Sequence, residues 1–141
     1  MLYESTAILN SLEATRPCPP LAPADARGRA LVDMHMKLCD LQLSRHAGTI
    51  MFPKRFLPKE KWNPAAMAEA KGEIEKHLAI LDKQLAGKTY LVGEQFSLAE
   101  VCYIPFLDFL PLMEIAPPGA VAAWSTRLLA RQSAQATRPE K

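Results

Sequence analysis

The chain has 141 residues, 49% hydrophobic and 23% charged, which is enough apolar material for one buried core and too much for a disordered chain. Its formal net charge is only +2, with acids and bases interspersed, so no electrostatic basis exists for nucleic acid or an anionic membrane as a partner. Cys18, Cys39 and Cys102 are odd in number and form no CxxC motif, so a reducing, cytoplasmic setting is expected.

In chain order, Met1 to Thr15 carry Glu4 and Glu13 and no basic leader, and they read as no signal peptide. Ser5 is an N-cap type residue, and Thr6–Ala14 reads as a short helix with Ile8, Leu9 and Leu12 on one face. Pro17, Pro19, Pro20 and Pro23 cannot be helix interior and make a semi-stiff extended linker. Asp25 offers an N-cap for a helix to about Arg45, with Ala30, Leu31, Met34, Leu38 and Leu41 as its apolar face. Ala47 to Asn63, with Gly48, Pro53 and Pro58, reads as irregular.

Asn63-Pro64 opens the next helix as N-cap and first-turn proline. Met67, Ile74, Leu78, Leu81 and Leu85 line one face of it, and Gly87 is placed to end it in the left-handed conformation. A further helix runs from Leu98 to about Leu112, kinked or shortened by Pro105 and Pro111. The last runs from about Val121 to Arg131 with Trp124, Leu128 and Leu129 inward, and Gln132 to Lys141 reads as a frayed tail. The apolar stretch from Val101 to Ile115 is broken by Pro105, Asp108, Pro111 and Glu114, and no run approaches the ~20 residues that span a bilayer. The fold class is therefore all-α, a bundle of amphipathic helices.

The sharpest local signal is Phe96-Ser97-Leu98-Ala99-Glu100-Val101. Ser97 and Glu100 have capping-box spacing, each side chain satisfying a backbone N–H at the other end of the first turn. Phe96 and Val101 occupy the hydrophobic-staple positions around it. His35, His46, His77 and Cys39 do not share a metal-ligand spacing, so no metal site is expected. Lys54, Arg55, Lys59 and Lys61 beside Phe56 and Trp62 read as a solvated loop, and Cys102 between Val101 and Tyr103 as a structural cysteine.

Taken in order, these motifs resemble the glutathione S-transferase family. Leu2 to Leu9 is similar to the last strand and third helix of that family's thioredoxin-like domain. The Pro17–Pro23 run is similar to its interdomain connector, and Tyr90-Leu91-Val92-Gly93 with the Phe96–Val101 box to the folding module of its all-helical C-terminal domain. The box usually carries Asp where Glu100 stands, and Val101 to Leu107 resembles phi-like or bacterial members most closely.

The resemblance implies a remnant of the thioredoxin-like domain over 1–16, a linker over 17–24 and the helical domain over 25–141. It implies glutathione as co-substrate with no other cofactor, a small hydrophobic electrophile as second substrate, and a homodimer. Glu4 and Ser5 would hold the γ-glutamyl carboxylate, although Ser5 also fits a plain N-cap. Leu43, Ala47, Ile50 and Met51 would line the electrophile pocket, although they also fit ordinary core packing. No catalytic residue is assigned. The group that stabilises the thiolate in this family lies after its first strand, a segment these residues do not match, so the chain alone is expected to show no conjugating activity. The alternative is a noncatalytic interaction or scaffolding module, a use to which helical domains of this family are also put.

Overall fold

Seven α-helices, one π-helical segment and one 3-10 turn make up the ordered elements of the computed structural model, which describes residues 1–16 and 19–138, and no strand occurs among those residues. The helices are α1 (Ser5–Thr15), α2 (Ala26–Leu38), α3 (Arg45–Phe56), α4 (Pro64–Leu85), α5 (Leu98–Asp108), α6 (Gly119–Leu129) and α7 (Gln132–Ala136). The π segment Cys39–Ser44 joins α2 to α3, and the 3-10 turn Lys59–Lys61 leads into α4. The ends of the expected linker and tail, Pro17, Cys18 and Pro139 to Lys141, lie outside the described residues.

Helix starts follow the local chemistry. The Asp25 side chain accepts from the Gly28 amide at 2.8 Å, and Asn63 from the Ala66 amide at 3.1 Å. A Cβ on Gly28 would stand 2.6 Å from the Pro23 Cβ, so only glycine lets the helix start fold back on the connector. At the far end of α4, Gly87 has φ +72° and terminates the helix as expected. For α6 the cap comes from another helix: Asp82 Oδ1 in α4 accepts from the amides of Ala120 at 2.7 Å and Val121 at 3.2 Å. That bond pins α6 to α4 and places a negative charge at its N-terminus.

Helix α4 packs against α3 and α6, while α5 packs against α2 and α6. The shared core holds Met36, Leu43, Ile74, Leu78, Leu81, Leu85, Leu107 and Leu128 around Tyr103 and Trp124. The Tyr103 and Trp124 rings meet edge to face, with centroids 5.5 Å apart. On the other side of Tyr103, its hydroxyl lies 3.0 Å from His77 Nε2.

Three expectations are corrected. The helix expected to run to about Arg45 ends at Leu38, where the π segment begins, and the face assigned to it is the wrong one: Leu31, Met34 and Leu41 are exposed, and the core receives Gly28, Val32, His35, Met36 and Cys39. Two apolar stripes run along this helix, and packing selects the one that holds a glycine, a histidine and a cysteine. Residues 45–56 are helical, because Ala47 and Ile50 continue the three-and-four spacing of buried positions from Leu43. Pro53 falls in the last turn, where it breaks little. The tail is ordered over Gln132–Ala136, since Ala134 is buried and Arg138 pairs with Asp108 through Nε at 2.9 Å.

Burial disfavours the charged form of His77 and lowers its pKa from 6.5 to about 4, and His35 shifts the same way. Both histidines fold as neutral rings. Above pH 6.5 folded and unfolded chains are equally deprotonated and stability is flat. Below it the unfolded chain binds the proton first, and stability falls by about 3 kcal/mol down to pH 4 for His77 alone. Urea unfolding measured at intervals from pH 7 to pH 4.5 should show that decline, reduced in His77→Gln. Equal slopes for both proteins would show that the buried ring does not set it.

Candidate functional site

The region expected to bind ligands is built from α1, the π segment, α3 and the outer face of α5. Glu4 stands before α1 with φ +74°, a conformation that L residues adopt at a cost. The helix's first backbone bond runs from the Ile8 amide to the Glu4 carbonyl at 3.0 Å, so the amides of Ser5, Thr6 and Ala7 precede the ladder. Ser5 is the first helical residue and Glu4 the cap position, a shift of one from the expected Ser5 cap.

Ser5, Ile8 and Leu9 form one wall of a cleft of about 480 Å³. Asp40 and Ser44 from the π segment and Val101, Cys102, Pro105 and Phe106 from α5 form the other. A second cleft of about 320 Å³ is lined by Ser44, Gly48, Met51, Phe52, Arg55, Phe56 and Phe106. Ser44 and Phe106 belong to both, so the two adjoin and form one groove. One end has the start of a helix and two hydroxyls. The other is a slot of aromatic rings with Phe52 and Phe56 centroids 5.5 Å apart.

The π segment builds the middle of this groove. The Arg45 amide bonds to the Asp40 carbonyl, one residue further back than in an α-helix, and the wider turn presents Asp40 and Ser44 on the groove side. On its inner side Cys39 is buried, with Sγ 3.3 Å from the Cys102 carbonyl. Burial raises both thiols, Cys102 to about 11, so neither is a thiolate at neutral pH and Cys102 is a passive wall.

Of the expected pocket residues, Met51 lines the aromatic slot. Leu43 and Ala47 are fully buried in the core beneath it. Ile50 is also buried, and its edge reaches a separate cavity of about 250 Å³ with Trp62, Met67 and Met113. Sequence reasoning assigns no ligand role to Ser44 or Phe106, and its reading of Gly48 as part of an irregular stretch and of Lys54 and Arg55 as a solvated loop is corrected, since all three lie in α3. Phe106 follows the buried Tyr103 by three places yet faces out, and only the packing of α5 against α2 and α6 reveals that. Among the described residues no group of three or more His, Cys, Asp or Glu side chains could hold a metal ion, and no helix is long and apolar enough to cross a membrane.

Ser97 and Glu100 lie behind the groove as the folding motif. Glu100 is fully buried. Its Oε1 accepts from the Leu91 amide at 2.7 Å, and its Oε2 from the Ser97 amide at 2.9 Å and the Ser97 hydroxyl at 2.8 Å. The Ser97 hydroxyl accepts from the Ala99 amide at 3.3 Å, closing the capping box.

Comparison with known proteins places this geometry. The family profile described as glutathione S-transferase, C-terminal domain, matches residues 42–132. A maleylacetoacetate isomerase of Mus musculus is 30% identical over 145 residues, covering 99% of this chain and 64% of that protein. An elongation factor 1-gamma of Carassius auratus is 31% identical over 118 residues, covering 82% of this chain and 25% of that protein. The chain thus spans less than two thirds of either relative. Among solved structures, the theta class glutathione S-transferase of Xanthomonas axonopodis pv. citri with glutathione bound superposes with a TM-score of 0.84 at 28% identity, over 96% of this chain and 72% of that one.

Proposed function

The chain belongs to the glutathione S-transferase family through its helical C-terminal domain, and from that premise we propose that its groove serves the conjugation of glutathione to a small hydrophobic electrophile. On this reading residues 1–16 are the end of a thioredoxin-like unit, 17–24 the connector and 25–141 the helical unit. Glu4 and Ser5 hold the glutathione γ-glutamyl carboxylate at the start of α1. The aromatic slot around Met51 and Phe106 holds the electrophile, while Leu43, Ala47 and Ile50 support the scaffold as core residues and do not line it. The observation that carries the reading is the continuity of the groove, since Ser44 and Phe106 join the helix-start end to the apolar end. The theta class relative with glutathione bound supports it.

In the reaction the thiol proton leaves to solvent. The sulfur forms a bond to the electrophilic carbon, and a leaving group departs with its electron pair or a proton is taken up by the adduct. The part of this chain is orientation: holding both reactants in one groove replaces a chance encounter by a positioned one. The thiolate-stabilising group falls, on the same reading, to the thioredoxin-like unit. A cytoplasmic homodimer accompanies it, supported by the exposed residues Leu31 and Met34 on α2 and Leu41 on the π segment.

Retention on immobilised glutathione tests the anchor. Wild-type chain should be retained and eluted by free glutathione, and Ser5→Ala should bind about tenfold more weakly, through loss of one hydrogen bond to a charged group. Unchanged retention of Ser5→Ala would remove Ser5 from the site. The likeness to an elongation factor 1-gamma favours a second reading, a noncatalytic docking module. A stoichiometric protein partner captured from the cell of origin, together with no retention on glutathione, would decide for it.

A further inference from the structure

Arg55 has an environment that the conjugation reading does not use. Its guanidinium lies 5.2 Å from the Phe109 ring centroid and 5.9 Å from that of Phe56, at the rim of the aromatic slot. Among the described residues no carboxylate pairs with it. Its neighbour Lys54 is committed elsewhere, with Nζ 2.9 Å from the Leu112 carbonyl and 2.6 Å from Glu114 Oε1. The slot's lining contains no acid: besides Arg55 it consists of a serine, a glycine, a methionine and three phenylalanines. The adjoining turn carries Lys59 and Lys61 with Glu60 between them, so with Arg55 the bases there outnumber the acids.

A guanidinium resting on aromatic faces keeps its N–H edges free for a bidentate acceptor, and it sheds water more readily than an ammonium does. Three phenyl rings lining an open cleft favour a flat, conjugated body that can lie against them. The cleft's volume of about 320 Å³ suits a small molecule. Gly48 opens its wall, since a Cβ there would meet nothing within 4 Å.

We propose that Arg55 is a specificity residue that makes this slot prefer flat, conjugated carboxylates over neutral compounds of the same shape. The inference rests on the reading of the groove as the electrophile site and names the class of compound it takes. The carboxylate lies against the Arg55 guanidinium, and the unsaturated body lies between Phe52, Phe56 and Phe106.

Binding of cinnamate and of methyl cinnamate to the full chain, without glutathione, tests this by calorimetric titration. The acid should bind about tenfold more tightly than the ester, and about 0.5 M salt should erode that preference. Arg55→Met should bring the acid to the affinity of the ester and leave the ester within about twofold of its wild-type value. Gly48→Leu, which fills the slot, should weaken both. Equal affinities for acid and ester in the wild type, or a preference that survives Arg55→Met, would overturn the role of Arg55 while leaving the groove reading intact. Failure of both compounds to bind, or binding indifferent to Gly48→Leu, would overturn the slot as a site and the groove reading with it.

Discussion

Replacing Glu100 by alanine is expected to lower the unfolding free energy by about 3–5 kcal/mol, read by urea or thermal denaturation. The side chain is fully buried and accepts from the Leu91 amide, the Ser97 amide and the Ser97 hydroxyl. Among the described residues no cation forms an ion pair with it, so its two oxygens are held by those donors alone. Alanine would leave two buried amides and a buried hydroxyl without their acceptor. An unmet buried donor costs about 1–3 kcal/mol, and the group acts as a unit, so the sum is not simply threefold. Ser97→Ala removes one acceptor and one donor and should cost about 1–2 kcal/mol. Both variants touch only the scaffold, and methyl cinnamate affinity should be unchanged where they remain folded. If Glu100→Ala proved no more damaging than Ser97→Ala, the tie to Leu91 would be energetically empty and the box would be an ordinary helix cap.

Trp124→Ala should cost about 3–5 kcal/mol by the same measurement. Trp124 is completely buried in α6 and meets Tyr103 edge to face. Its truncation opens a large cavity among α4, α5 and α6, helices too firmly tied to collapse into it, since Asp82 pins α6 to α4. The indole nitrogen has no hydrogen-bond partner among the described residues, so the loss is one of packing alone. For that reason Trp124→Phe should cost much less, about 1–2 kcal/mol: it keeps most of the ring and removes a buried donor with no acceptor. A loss below about 2 kcal/mol in the alanine variant would mean that the core repacks around the gap.

Features governed by local chemistry were legible in the sequence. The capping box, the caps at Asp25 and Asn63, the proline at the head of α4 and the glycine stop at Gly87 all stand where residue type and spacing put them. Features decided by competition between packing surfaces were not. Helix α2 and the π segment after it offer an oily stripe of Leu31, Met34 and Leu41 and a mixed one of Gly28, Val32, His35, Met36 and Cys39, and hydropathy alone favours the one left outside. Pro53 and Gly48 argue against a helix when taken singly, yet α3 carries both because Leu43, Ala47 and Ile50 need to face the core together. The groove shows the same division. Its Glu4–Ser5 end rests on a short motif, whereas Ser44, Phe106 and Arg55 come from separate elements that meet only in the folded chain.

The connector has a mechanical consequence. The Leu98 amide, one of the first in α5 and thus without a partner inside its own helix, donates to the Leu21 carbonyl at 2.9 Å. The amides of Leu21 and Ala22 both donate to Glu13 of α1, at 2.9 and 3.1 Å. Leu21 and Ala22 therefore form a bracket that ties Glu13 of α1 to the head of α5. A shift of α1 at Glu13 is thereby carried to the head of α5, and so to its capping box, through three hydrogen bonds.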